Sequence, residues 1–226
     1  MQIYGLQKLS LVDYPGKTAA VLFTGGCNFR CPFCHNFGLV SSPGEPLDEE
    51  EVFSYLKKRK GLLDAVVITG GEPLIHPDIA GLIKKVRDVG YPVKLDTNGT
   101  FPVRLAELIS EGLIDYVAMD IKNCEEKYFL TAGCDVDLDA VRKSVMLLMS
   151  GSVDFEFRTT AVKQLHEVSD FIRIGKWIKG NEKYYIQRFK DAETVPYGNL
   201  SAPDDGELKA FLDAVIQFVP NARLRG

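Results

Sequence analysis

Residues 19–36 read Ala19-Ala20-Val21-Leu22-Phe23-Thr24-Gly25-Gly26-Cys27-Asn28-Phe29-Arg30-Cys31-Pro32-Phe33-Cys34-His35-Asn36. The first five residues are a short apolar run without strict two-residue alternation, as expected of a strand covered on both faces. The run stops at two glycines and opens into a loop with three cysteines within eight residues. The same succession of apolar run and polar motif returns along the chain. Strands are predicted over 19–23, 65–69, 93–96, 116–120, 154–160 and 184–189. The second ends in Gly70-Gly71-Glu72-Pro73, the third in Asp96-Thr97-Asn98-Gly99 and the fourth in Asp120-Ile121-Lys122.

Amphipathic helices fill the intervals, over 48–60, 78–89, 103–110, 138–150, 168–179 and 207–219. Asp48 with Glu51 reads as a capping box, and Ile79, Leu82, Ile83 and Val86 share one helical face. Regular strand–helix alternation implies a parallel sheet with right-handed crossovers. Six units fall short of the eight in a closed barrel. An open doubly wound sheet has the same periodicity, but it would gather its motifs at one switch point. Here they follow four successive strands, which favours an α/β fold of the partial (β/α)6 TIM-like barrel type. Residues 1–18, with Leu11-Val12-Asp13-Tyr14-Pro15-Gly16, read as an added hairpin or cover. No repeat or linker interrupts the pattern, so 1–226 is expected to be one domain.

The 226 residues are 46% hydrophobic and 26% charged, which excludes a disordered chain. No apolar run approaches the roughly 20 residues of a membrane span. The start lacks a basic segment leading into an apolar one, so no signal peptide is visible. A net charge of −4, from 27 basic against 31 acidic residues, opposes nucleic acid or acidic lipid as main partner. Lys57-Lys58-Arg59-Lys60 suits a solvated helix end. A cytoplasmic protein with neither nucleic acid nor membrane as partner is expected.

Five cysteines is an odd number, and clustering of three argues for a site rather than a disulfide framework. Thiolates spaced C-x3-C-x2-C converge on one loop face, and soft sulfur ligands select zinc, copper(I) or iron–sulfur. Structural zinc wants four closed ligands, and only His35 stands nearby, awkwardly adjacent to Cys34. A cubane cluster on three cysteines leaves one iron open for chemistry. Three buried thiols without metal is the plain alternative. Cys124 and Cys134 read as core or loop thiols, and His76 and His166 as surface residues flanking helices.

The triplet Cys27, Cys31, Cys34 after the first strand resembles that of the radical S-adenosylmethionine (SAM) superfamily. The resemblance implies a [4Fe-4S] cluster on the three cysteines, with SAM on the fourth iron, cleaved reductively to methionine and a 5′-deoxyadenosyl radical. It places Phe33 and His35 near the adenine, and Gly70, Gly71 and Glu72 at the SAM amino group. Asp96-Thr97-Asn98-Gly99 with Asp120-Ile121-Lys122 resembles the narrower group of glycyl-radical-enzyme activases. That likeness implies a monovalent cation enclosed by Asp96, Thr97, Asp120 and a backbone carbonyl beside the SAM carboxylate, with Lys122 on SAM itself. Arg158 resembles an arginine of the same group, although an arginine pairing with a surface acid reads nearly as well. On the sixth strand the group's histidine is missing, and Gln187 is the candidate to meet the adenosine.

The opening, Gly5-Leu6-Gln7-Lys8 and Ser10-Leu11-Val12-Asp13-Tyr14-Pro15-Gly16-Lys17, is similar to the longer form of anaerobic ribonucleoside-triphosphate reductase activating proteins. This implies a glycyl radical enzyme as partner and an electron donor such as flavodoxin or ferredoxin. Rival readings are an activase of pyruvate formate-lyase or another glycyl radical enzyme, and a radical SAM enzyme acting on a small molecule, such as a deazaguanine synthase. A non-enzymatic iron–sulfur carrier is the rival from another class, and it leaves Gly70–Pro73 and Asp120–Lys122 without a role.

Overall fold

The computed structural model describes residues 1–226 and contains one eight-stranded sheet in which each strand lies beside the next in sequence. The strands are β1 (Ile3–Tyr14), β2 (Lys17–Thr24), β3 (Ala65–Gly70), β4 (Val93–Thr97), β5 (Tyr116–Asp120), β6 (Asp154–Ala161), β7 (Tyr184–Arg188) and β8 (Arg223–Arg225). Only β1 runs antiparallel, against β2; all later pairs are parallel. The strand order never reverses, so there is no switch point and the doubly wound alternative falls. Crossovers of one hand place the helices on one face, and the sheet curls around the other. Its edges, β1 and β8, do not pair with each other, so the barrel stays open.

The helices are α1 (Phe37–Ser41), α2 (Glu49–Lys58), α3 (Ile79–Val89), α4 (Pro102–Ser110), α5 (Tyr128–Ala132), α6 (Leu138–Met149), α7 (Val168–Trp177) and α8 (Asp205–Ile216). Ala20 and Leu22 of β2 and Val66 and Ile68 of β3 join Ile79, Leu82, Ile83 and Val86 of α3 in the main core. The alternate residues Ala19, Val21, Ala65 and Val67 pack with Tyr14 and Tyr116 in a separate cluster inside the curl. Both faces of β2 and β3 are therefore buried, which is why their sequences lack alternation.

Local chemistry sets the helix ends. Asp48 caps α2 by accepting from Glu50 N at 2.8 Å, without the reciprocal bond from Glu51 that the sequence pattern suggested. A reciprocal box stands at α8, where Asp204 and Glu207 each accept the other's backbone N–H at 2.8 Å. Gly90 ends α3 at φ 95°, a left-handed turn that favours glycine. The expected cover over 1–18 is β1 itself. Three short elements, α1, α5 and β8, were not foreseen. Each is five residues or fewer, too short for a period to register.

β8 forms the far edge of the curl and is latched to β6 by one ion pair. Glu156 of β6 is fully buried, and Arg225 grips it with two bonds of 2.7 and 3.0 Å. Tyr116 OH donates to the same carboxylate at 3.1 Å, and the Arg225 guanidinium lies 3.6 Å from the centre of the Tyr185 ring. Removing one partner of a buried pair costs about 3–5 kcal/mol, and the partial exposure of Arg225 lowers that figure. Arg225→Met should destabilise the protein by about 2–3 kcal/mol, lowering Tm by roughly 4–12 °C for a chain of this size. Thermal unfolding followed by circular dichroism checks this, and an unchanged Tm would show the latch to be idle.

Candidate functional site

The upper ends of six successive strands, β2 to β7, surround one cavity of about 360 Å³, within the roughly 300–1,000 Å³ range of small-molecule sites. All fourteen residues singled out from the sequence line it: Cys27, Cys31, Phe33, Cys34, His35, Gly70, Gly71, Glu72, Asp96, Thr97, Asp120, Lys122, Arg158 and Gln187. Asp13, Asn36, Asn98 and Thr160 line it too and were not foreseen.

The cysteine loop follows β2 and is fastened from several sides. His76 bonds Gly25 O through Nε2 at 2.8 Å, Gly26 N donates to Leu39 O at 2.8 Å, and Arg30 N donates to Ala132 O at the end of α5 at 2.8 Å. Cys27, Cys31 and Cys34 are free thiols on the cavity wall. Burial pushes Cys27 up to about 12 and Cys31 up to about 11, and raises Cys34 as well, so a bound cation is what would make them thiolates. No three His, Cys, Asp or Glu side chains converge on a point that would hold a single metal ion. Three thiols on the wall of one cavity are soft donors of the kind that hold an iron–sulfur cluster.

Cys124 stands apart from the triplet, whereas Cys134 lies against the cysteine loop. Cys124 is in the core, donating to Asp170 Oδ1 at 3.4 Å, and half-buried Cys134 donates to Asn28 O at 3.4 Å.

Gly70 and Gly71 line the cavity, but their steric need comes from the neighbouring strand. A Cβ on Gly71 would lie 1.8 Å from Gly26 O, and one on Gly70 would lie 2.3 Å from Thr24 O. Gly71 N and Glu72 N donate to Thr24 O and Gly26 O at 3.0 and 2.9 Å. The pair therefore lets β3 press against the root of the cysteine loop. Glu72, fully buried, accepts from Leu74 N at 3.0 Å, Thr97 Oγ1 at 2.8 Å and Asn98 N at 2.6 Å, locking β3 to β4. Burial dominates over these bonds and pushes Glu72 up to about 7. Asn side chains complete the lacing: Asn36 donates to Gly70 O at 2.9 Å, and Asn98 to Asn28 Oδ1 at 2.8 Å.

Charges gather at the β4–β6 side. Arg158 contacts Asp120 Oδ1 at 2.9 Å and Asp96 Oδ2 at 3.4 Å, so it is no surface partner. Lys122 bonds Asp120 Oδ2 at 2.9 Å, and Lys94, almost fully buried below the cavity, bonds Asp96 Oδ1. Burial alone would raise Asp120, yet Lys122 and Arg158 hold it at about 2. Lys122 also lies 5.9 Å from the centre of the Phe33 ring. The Thr97 hydroxyl is spent on Glu72, away from the two aspartates.

His166 corrects the sequence reading. It is buried, accepts from Val162 N through Nδ1 at 3.2 Å, and so bonds Lys122 O as an Nε2–H donor at 3.0 Å. His76 is likewise engaged rather than free. His35 is exposed, bonded to Lys190 O at 2.6 Å, with its ring 5.7 Å from that of Phe189. All three histidines of the chain thus bond backbone carbonyls, two of them at the cysteine loop and the Lys122 segment. Their sequence contexts gave no signal of this. Lys94 did leave one, because a strand places it on the same face as Asp96.

Residues 21–174 match the Radical SAM superfamily, and the chain belongs to that family. Membership implies a [4Fe-4S] cluster and SAM, and the donor set described above fits both. A relative from Methanocaldococcus jannaschii, provisionally named a glycyl-radical enzyme activating enzyme, is 34% identical over 99% of this chain and 95% of its own length. A Methanothermobacter thermautotrophicus protein, provisionally named a GTP 3′,8-cyclase, is 26% identical over 88% and 85% of the two chains. In structure, Streptococcus suis SuiB bound to S-adenosylmethionine superposes with a TM-score of 0.69 at 15% identity, over 91% of this chain and 52% of that one. This chain spans about half of SuiB, and the likeness concerns the fold. No helix is long and apolar enough to cross a membrane.

Two outcomes are expected. Gly71→Ala should retain its helix content while losing more than half its iron after anaerobic reconstitution, because the new Cβ displaces Gly26 at the base of the loop. Iron equal to wild type would refute the steric argument. The raised Glu72 makes its protonated form the favoured one in the folded apo-protein, a stabilisation full below the unfolded value near 4.5 and lost as pH rises through about 7. Apo-protein Tm should therefore fall from pH 5 to pH 7.5, and Glu72→Gln should flatten that slope.

Proposed function

We propose that this chain is a glycyl-radical-enzyme activase whose partner is an anaerobic ribonucleoside-triphosphate reductase. The activase part of the reading is carried by the 34% identity, over nearly the whole chain, to the Methanocaldococcus jannaschii relative of that provisional name, and the choice of partner rests on the opening segment of the sequence. In this role Cys27, Cys31 and Cys34 hold the cluster, and Gly70, Gly71, Glu72, Asp96, Asp120 and Lys122 position SAM. Phe33, His35 and Gln187, which line the same cavity, would meet the adenosine, with Arg158 fixing both aspartates. When bound, cluster and SAM supply carbon-radical chemistry. One electron, from a donor such as flavodoxin or ferredoxin, and one SAM yield methionine and 5′-deoxyadenosine. The hydrogen atom comes from a glycine Cα, which keeps the unpaired electron.

The protein's own share is orientation and exclusion of water. The opening between β1 and β8 suits a polypeptide loop better than a closed barrel would. On β1, Leu11 and Val12 are 71% and 80% exposed next to Asp13, which reaches the cavity. Exposed apolar residues grouped on an edge strand fit a protein partner.

The cyclase-like relative favours one second reading, a radical SAM enzyme with a small-molecule substrate. Reduced enzyme, SAM and an anaerobic ribonucleotide reductase should give a doublet radical signal by electron paramagnetic resonance. Deuterium placed on the target glycine Cα should appear in 5′-deoxyadenosine. SAM consumed in step with a small metabolite, with no radical on any glycyl radical enzyme offered, would replace the first reading with the second.

A further inference from the structure

Resemblance to the activases implies a monovalent cation between Asp96 and Asp120, and the residues present do not fit one. Each of the four carboxylate oxygens already faces a cation of the chain. Asp96 Oδ1 meets Lys94 Nζ and Asp96 Oδ2 meets Arg158, while Asp120 Oδ1 meets Arg158 and Asp120 Oδ2 meets Lys122. The third expected ligand, the Thr97 hydroxyl, donates to Glu72 and accepts from Gly99 N at 3.1 Å. Three side-chain cations against two carboxylates leave one positive charge unbalanced, the right sign for the carboxylate of an amino acid. A further cation would add charge where none is wanted and would meet only carboxylate oxygens that already face a positive group.

Lys94 is what makes the difference. β4 places it two residues before Asp96 and on the same face, with Tyr116 and Ala118 as their neighbours on β5. Its side chain is 1% exposed, and its ammonium has Asp96 Oδ1 as its partner. An ammonium buried to this degree persists only when paired. Lys94 does not line the cavity; it lies behind Asp96 and acts through it.

We infer that Lys94 is the built-in counter-ion of the SAM carboxylate subsite, so that this chain binds SAM without sodium or potassium. The inference rests on the cavity being the SAM site and is independent of which substrate the enzyme attacks. Lys94 is a positioning residue, and its replacement should convert the subsite to one that needs an added cation.

Titration calorimetry of SAM into the reconstituted enzyme tests this in sodium, potassium and N-methylglucamine chlorides at one ionic strength. Wild-type affinity should agree within about twofold across the three, since exposed charges feel only the common screening. Lys94→Met should bind on the order of tenfold more weakly in N-methylglucamine and recover in sodium or potassium, whose ions take the freed Asp96 oxygen. Lys94→Arg should remain indifferent to the salt. A purely structural role for Lys94 predicts no such rescue. Wild-type affinity that depends on sodium or potassium overturns the inference alone, and it decides the matter even if Lys94→Met does not fold. A folded Lys94→Met equally affine in all three salts also overturns it. Failure to bind SAM in any salt overturns it together with the SAM reading of the cavity, whereas failure to generate a glycyl radical leaves it standing.

Discussion

Arg158 reaches from β6 to Asp120 on the adjacent strand and on to Asp96 on the strand beyond, and the charged half of the cavity depends on that span. It helps hold both aspartates ionised, together with Lys122 at Asp120 and Lys94 at Asp96. The guanidinium is suited to the task because its planar fork presents several donors with fixed geometry and never loses its proton. Ala118, in register with Asp96 and two residues before Asp120 on the same face of β5, adds only a methyl group beside the crossing. Networks of this sort contribute little net stability, since desolvation offsets most of the attraction. What they impose is alignment: a shift of β4, β5 or β6 along its axis would strand a buried charge.

A second, neutral system governs the other half. The cysteine loop, the Gly-Gly turn and the β4 end are joined by backbone and amide bonds, with Glu72 as their hub. Histidines fasten the two halves from behind, His76 at Gly25 and His166 at Lys122. A ring nitrogen suits this duty, because it bonds a carbonyl directionally while the rest of the ring packs; the ring of His166 lies 5.7 Å from that of Phe171. Motif residues meet the cavity, and residues without a motif hold them at their stations.

This division explains what could be read in advance. Six strand positions and the motif residues were legible because each strand is a continuous apolar run that breaks off into unlike polar residues at the rim. β8 was not, since Arg223-Leu224-Arg225 carries no apolar run and owes its place to Glu156, far away in sequence. α5 was hidden by its brevity, although it supports Arg30 through Ala132. His166 looked like a surface residue because nothing local marks its burial; only the fold brings Val162 and Lys122 to its two nitrogens. The sequence places the glycine pair at the cavity but does not show that the approach excluding a side chain there is that of Thr24 on the adjoining strand and Gly26 in the loop that follows it.

That last contact has a bearing on protein engineering. With the Gly71 position 1.8 Å from Gly26 O at its would-be Cβ, the cysteine loop and the Gly-Gly turn form a single steric unit split across two sequence segments. A cysteine triplet transplanted onto the strand end of another barrel would lack the matching concavity and would be lifted from its seat. The portable part of this site is therefore a pair of neighbouring strand ends, not a peptide motif.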